Sequence, residues 1–233
     1  MTAVTAFKRS QVEWALWRYF CFGSTDRPAP PAVFKTRIKR LLEIDRLKEK
    51  YEESEVPHAR FAFIDGPPDG QGRDVPYTAF NAFCLALGLD LLDAGFKQSE
   101  IVFLLRHIRR KLEEEFSRIL KNPPEPRQEL PSEQRPNCPS YEKGGHSWAD
   151  CRVFMVLNKV ELKEVFAVAG NESSNSQPII FGPILCYGME ALKTELQKMH
   201  FEYRKALVIE LAHTAAMVSD LLKEAPLVKR GRK

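Results

Sequence analysis

Residues 122–150 constrain this chain more than any other stretch. They are rich in Pro, Glu, Gln and Ser with hardly an aliphatic side chain, so they bury too little apolar surface to offset the entropy of ordering. A Pro-rich linker there predicts two separately organised parts, residues 1–121 and 151–226, with a basic tail over 227–233. With 233 residues, 44% of them hydrophobic, the chain has enough apolar material for a real core.

Periodicity places helices through most of the first part. Residues 10–21 carry Val12, Leu16, Tyr19 and Phe20 on one stripe, with Ser10 as cap and Glu13 in the capping-box position. After a Pro-rich turn, residues 33–50 resume the spacing with Phe34, Ile38, Leu41 and Leu42, and Lys35, Arg37, Lys39 and Arg40 share that helix. Residues 59–64 and 73–77 read as two short strands around the Gly/Pro loop 65–72. Thr78 then caps a helix over 79–93 that Gly95 ends, and Ser99 caps a longer one running to the Asn122-Pro-Pro stop. In the second part, 151–158, 160–169 and 178–181 read as strands. A helical stripe follows over about 183–225, divided in two if the chain breaks near 199–203.

Charge is spread unevenly. Residues 1–50 hold eleven Lys or Arg against five Asp or Glu, whereas the whole chain is only +4. A positive front with a cationic helix predicts a polyanionic partner. The cluster Arg106, His107, Arg109, Arg110 and Lys111 is followed by Glu113, Glu114 and Glu115, and such neighbours commonly pair along a helix.

The element order of residues 10–120, with Val75-Pro76-Tyr77-Thr78 and the run Leu91-Leu92-Asp93-Ala94-Gly95-Phe96 before Ser99-Glu100-Ile101, resembles the winged-helix DNA-binding domain of MerR-type transcription regulators. In that family a Tyr after the wing opens a helix that closes on Leu-x-x-x-Gly-Phe. The chain departs from the family in its longer connection between Cys21 and Val33 and in lacking the Arg-Tyr pair after the second helix. The resemblance implies an α+β, helix-dominated fold, an N-terminal winged-helix domain with a smaller mixed C-terminal domain. It further implies double-stranded DNA as partner, read by a homodimer in transcriptional control. Lys35, Thr36, Arg37, Lys39 and Arg40 would then enter the major groove, while Arg60, Gln71 and Arg73 on the wing meet phosphates.

Other chemistry finds little support. No phosphate-cradling Gly loop, nucleophile elbow, zincin helix or redox Cys pair occurs, so no catalytic residue, enzyme activity or cofactor is expected. Cys138, His146 and Cys151 lack the close ligand spacing of structural zinc, and no metal is expected. Five cysteines at irregular spacings, with Glu13 and Arg18 interrupting the apolar residues 12–22, predict reduced thiols in a cytoplasmic protein without a membrane span. Two other readings stay open: an adaptor whose helices bind a protein partner and whose basic face is incidental, and a small-molecule sensor or enzyme centred on residues 151–225.

Overall fold

The computed structural model describes residues 6–21, 29–47, 60–66, 75–121, 152–158, 183–202 and 206–227. It is helix-dominated α+β, with six helices and one three-stranded antiparallel sheet among these residues. The chain divides into two compact units, residues 1–117 with 180–182 and 214–233, and residues 118–179 with 183–213.

Among the described residues the first unit holds α1 (Arg9–Phe20), α2 (Ala32–Leu47), α3 (Ala79–Asp93), the greater part of α4 (Gln98–Lys121) and residues 214–224 of the C-terminal helix. α1 starts a residue before the expected Ser10 cap. The Gln11 side-chain carbonyl accepts from the Lys8 N–H at 3.0 Å, and Glu13 pairs with Arg9 at 2.7 Å instead of closing a capping box. α1 meets α2 through Trp17 and Phe34, whose ring centroids lie 5.2 Å apart edge to face. α3 is apolar all round and buried from Phe80 to Leu89, which makes it the central helix of the unit.

Both ends of α3 follow local chemistry. Thr78 Oγ1 accepts from the Asn81 N–H at 3.1 Å. At the other end Gly95, at φ 84°, and Phe96 donate to the Leu92 and Leu91 carbonyls, a Schellman closure that requires the left-handed conformation at Gly95. α4 begins at Gln98, and the Glu100 carboxylate accepts from the Lys97 N–H at 2.9 Å. Phe116 of α4 packs on Phe80 and Phe83 of α3, with centroids 5.6 and 5.2 Å apart.

The expected wing strand over 59–64 is not a strand in its described residues, 60–64. Phe61, Ala62, Phe63 and Ile64 are all buried with no inward/outward alternation, and the Ala62 and Phe63 N–H groups donate to the Asp45 carboxylate instead of to a neighbouring strand. Tyr77 does pair, in an isolated antiparallel bridge with Phe7.

In the second unit β1 (Val153–Asn158) lies between β2 (Ile184–Tyr187) and β3 (Ala206–Glu210), antiparallel to both. β1 is buried on both faces: Val153, Met155 and Leu157 on one, Phe154 and Val156 on the other. α5 (Gly188–Glu202) covers the latter face through Leu192, with Cys186, Ile184 and Ala206 around it. Gly188, at φ 79° and donating to the Arg152 carbonyl at 2.9 Å, turns the chain from β2 directly into α5. α6 (Leu211–Glu224) starts in the second unit, its first N–H groups capped by the Glu210 carboxylate.

Two segments expected as helix are therefore strands. Residues 184–187 and 206–210 fit a leucine-type helical stripe, but Cys186, Val208 and Ile209 pair with β1, and sheet pairing overrides the local period. α5 runs to Glu202, so the expected break near 199–203 falls on its last residues, and 203–205 lie outside the described residues. The expected strands over 160–169 and 178–181, the linker 122–150 and the tail residues 228–233 fall outside the described residues.

Candidate nucleic-acid interface

α2 has two chemically different sides. Its inner side buries Phe34, Ile38, Leu41, Leu42 and Asp45. Asp45 is 1% exposed, and a carboxylate so buried persists only if fully bonded. It accepts from the Ala62 N–H at 2.9 and 3.0 Å, from the Phe63 N–H at 3.1 Å and from Arg106 Nε at 2.9 Å, while Arg106 Nη2 donates to the Asp45 backbone carbonyl.

One turn further along α4, Arg109 extends the network. Its guanidinium donates to the Ala62 carbonyl, to Asp65 and, at 2.9 Å, to Asn81 Oδ1, and Asn81 Nδ2 donates to Asp65 at 3.1 Å. Arg106 and Arg109 also stack over Phe61 and Phe80. α2, residues 61–65, α3 and α4 are thus tied by charge-assisted bonds that fix how α2 is seated. None of this network was foreseen from the sequence. Its signal was there: Asp45 and Arg109 both stand on otherwise apolar stripes, where a charged residue needs a partner.

The outer side of α2 is cationic. Lys35, Lys39 and Arg46 recur four and eleven residues apart and follow one flank, and Arg40 lies on the far side from the core; all four are exposed. Lys39 has a loose pair with Glu43 at 3.5 Å, and Lys35 and Arg40 make no ion pair among the described residues. Thr36 is exposed, but its hydroxyl donates back to the Ala32 carbonyl at 2.8 Å. Arg37 is held by Asp93 of α3.

Of the other expected contacts, Arg60 is exposed and stacks over Phe61 with its guanidinium 5.5 Å from the ring centroid. It lies two residues before the Ala62 N–H bound by Asp45, hence near the C-terminal end of α2. Gln71 and Arg73 fall outside the described residues. The basic cluster on α4 splits: Arg106 and Arg109 are buried in the network, and Arg110 pairs with Glu114 at 3.3 Å.

Reactive chemistry is sparse nearby. Burial pushes the Cys84 thiol up to about 12, outweighing Arg109, so it stays protonated and inert. Burial raises the Cys186 thiol as well. Among the described residues no group of three His, Cys, Asp or Glu side chains could hold a metal ion, and Cys138, His146 and Cys151 lie outside them. In the second unit a groove of about 420 Å³ runs along α5 beside Met189, Leu192, Lys193 and Leu196, with more apolar than polar lining. No helix among the described residues is long and apolar enough to cross a membrane. Comparison of the chain with protein-family models, with curated proteins and with solved structures finds no match.

Proposed function

We propose that the chain binds double-stranded DNA through the outer side of α2, as a transcription regulator of MerR-like winged-helix type acting as a dimer. The observation that supports this reading is the pairing of an exposed cationic side, Lys35, Lys39, Arg40 and Arg46, with an inner side locked by Asp45. A helix meant to lie along a phosphate backbone needs both: cations to displace condensed counterions, and a seat rigid enough to hold them in register. Arg60 adds a cation near the C-terminal end of the same helix.

The test is binding of the full chain to a fluorescent duplex and to a library of genomic fragments across salt concentrations. Each phosphate neutralised contributes roughly −0.9 to the slope of log affinity against log salt, so four contacts give a slope near −4. Lys35→Ala with Arg40→Ala removes two contacts and flattens the slope by about 2. Enrichment of a palindromic fragment supports the dimeric reader. A flat salt dependence removes DNA from the account and favours a protein partner, whereas a slope that the double variant keeps removes Lys35 and Arg40 of α2 as the contacts.

A further inference from the structure

Arg37 and Asp93 join α2 to α3 at a helix end that gathers negative charge. Asp93 is the last residue of α3, where the aligned peptide dipoles concentrate negative charge, and Asp90 stands one turn earlier with no basic residue in that turn. Partial burial, together with the Asp93 charge, lifts the Asp90 carboxyl to about 6. Arg37 is thus the counter-charge that this helix end lacks within itself.

The pair does little for stability. Its side chains are 36% and 58% exposed, and pairs so open to water contribute at most about 1 kcal/mol. Its effect on the surface of α2 is larger. Arg37 and Arg40, three residues apart, are neighbours on the helix, so a free Arg37 would widen the cationic side. Asp93 neutralises it.

Resting on the DNA-binding reading above, we propose that Asp93 sets the affinity of the α2 surface for the DNA backbone: by keeping Arg37 paired it withholds one phosphate contact. Backbone contacts attract every sequence alike, so withholding one lowers the affinity for all duplex DNA and flattens its salt dependence.

The experiment is a salt titration of random-sequence duplex binding by the full chain and by Asp93→Asn, Arg37→Gln and the double variant, with thermal melts alongside. Asp93→Asn is expected to bind up to about fivefold more tightly near 0.1 M salt and to steepen the slope by up to about 0.9. Arg37→Gln is expected to match the unaltered chain, because its guanidinium makes no phosphate contact there, and the double variant to match Arg37→Gln. Should Asp93→Asn melt early, Asp93→Ser replaces it in the same cycle. An unchanged slope for Asp93→Asn overturns the proposal, and so does a double variant that gains over Arg37→Gln, since the gain then comes from net charge alone. Salt-dependent binding by the unaltered chain with no gain in Asp93→Asn defeats this inference only. Salt-independent behaviour of both chains defeats the DNA-binding reading with it.

Discussion

Asp45 shows what one residue does for the seating of α2. Its carboxylate accepts from two backbone N–H groups and a guanidinium in a nearly water-free place, so removing it leaves Arg106 charged, buried and short of partners. Asp45→Ala is expected to cost about 3–5 kcal/mol, the usual penalty for breaking a buried pair from one side. In thermal denaturation this is a fall in Tm of roughly 10 °C or more. Asp45→Ala with Arg106→Met is expected to cost less than the two single changes added together, because neither leaves a lone charge; additive losses would show that the pair is not coupled. Asp90 carries the opposite sign. Its folded value of about 6 against an ordinary 3.8 means that the native chain holds the Asp90 proton more tightly than the unfolded chain does. The ionised carboxylate therefore weakens the fold above about pH 6, and the penalty is relieved as pH falls from 6 toward 4. Asp90→Asn is expected to gain roughly 1 kcal/mol at pH 7, allowing for solvent screening, and nothing at pH 4. Melts at the two pH values check this, and an equal gain at both would assign the effect to something other than charge.

At the scale of elements, what could be read from the sequence was what local chemistry decides. The α2 stripe Phe34, Ile38, Leu41 and Leu42, the Thr78 cap and the Gly95 stop need only neighbours within a few residues, and the fold realises them. Residues 60–64 and 206–210 were misread because their state is set from far away. Asp45, more than fifteen residues distant in sequence, takes the N–H groups that a strand would share, and β1 recruits residues 206–210 across about fifty residues of chain. The candidate site divides the same way. The exposed cations of α2 follow from composition and period, whereas the pairing of Arg37 with Asp93 needs the crossing of two helices. One element boundary yields a direct test. The two Glu210 carboxylate oxygens accept from the Ala212 and His213 N–H groups at 3.0 and 2.7 Å, binding two of the open donors at the start of α6. Glu210→Ala is expected to lower stability by about 0.5–2 kcal/mol in urea titration. A midpoint that does not move would mean that water serves these donors equally well.

At the scale of the whole molecule, the chain is not two beads in sequence order. Residues 214–233 group with the first unit, and two bonds spanning about two hundred residues show how: Gln11 Nε2 donates to the Ala225 carbonyl at 3.2 Å, and the Tyr19 and Thr214 hydroxyls meet at 2.8 Å. On the same stretch Ala215, Val218 and Leu222 are fully buried. A hydrogen bond is worth about 1 kcal/mol net, and burial of a Val or Leu side chain about 1.5–3, so this segment contributes several kcal/mol to a fold whose total margin is only about 5–15. A fragment of residues 1–121 lacks it. That fragment is expected to show helical circular dichroism but to unfold at a clearly lower urea concentration than the full chain, and a synthetic peptide of residues 211–227 added in trans is expected to raise its midpoint with saturation. Tyr19→Phe within the fragment is expected to weaken that rescue, because the bond between the Tyr19 and Thr214 hydroxyls is then lost. A fragment as stable as the full chain and indifferent to the peptide would mean that the first four helices hold α2 in place without the C-terminal helix. In that case the cationic surface would be the property of a self-sufficient N-terminal domain.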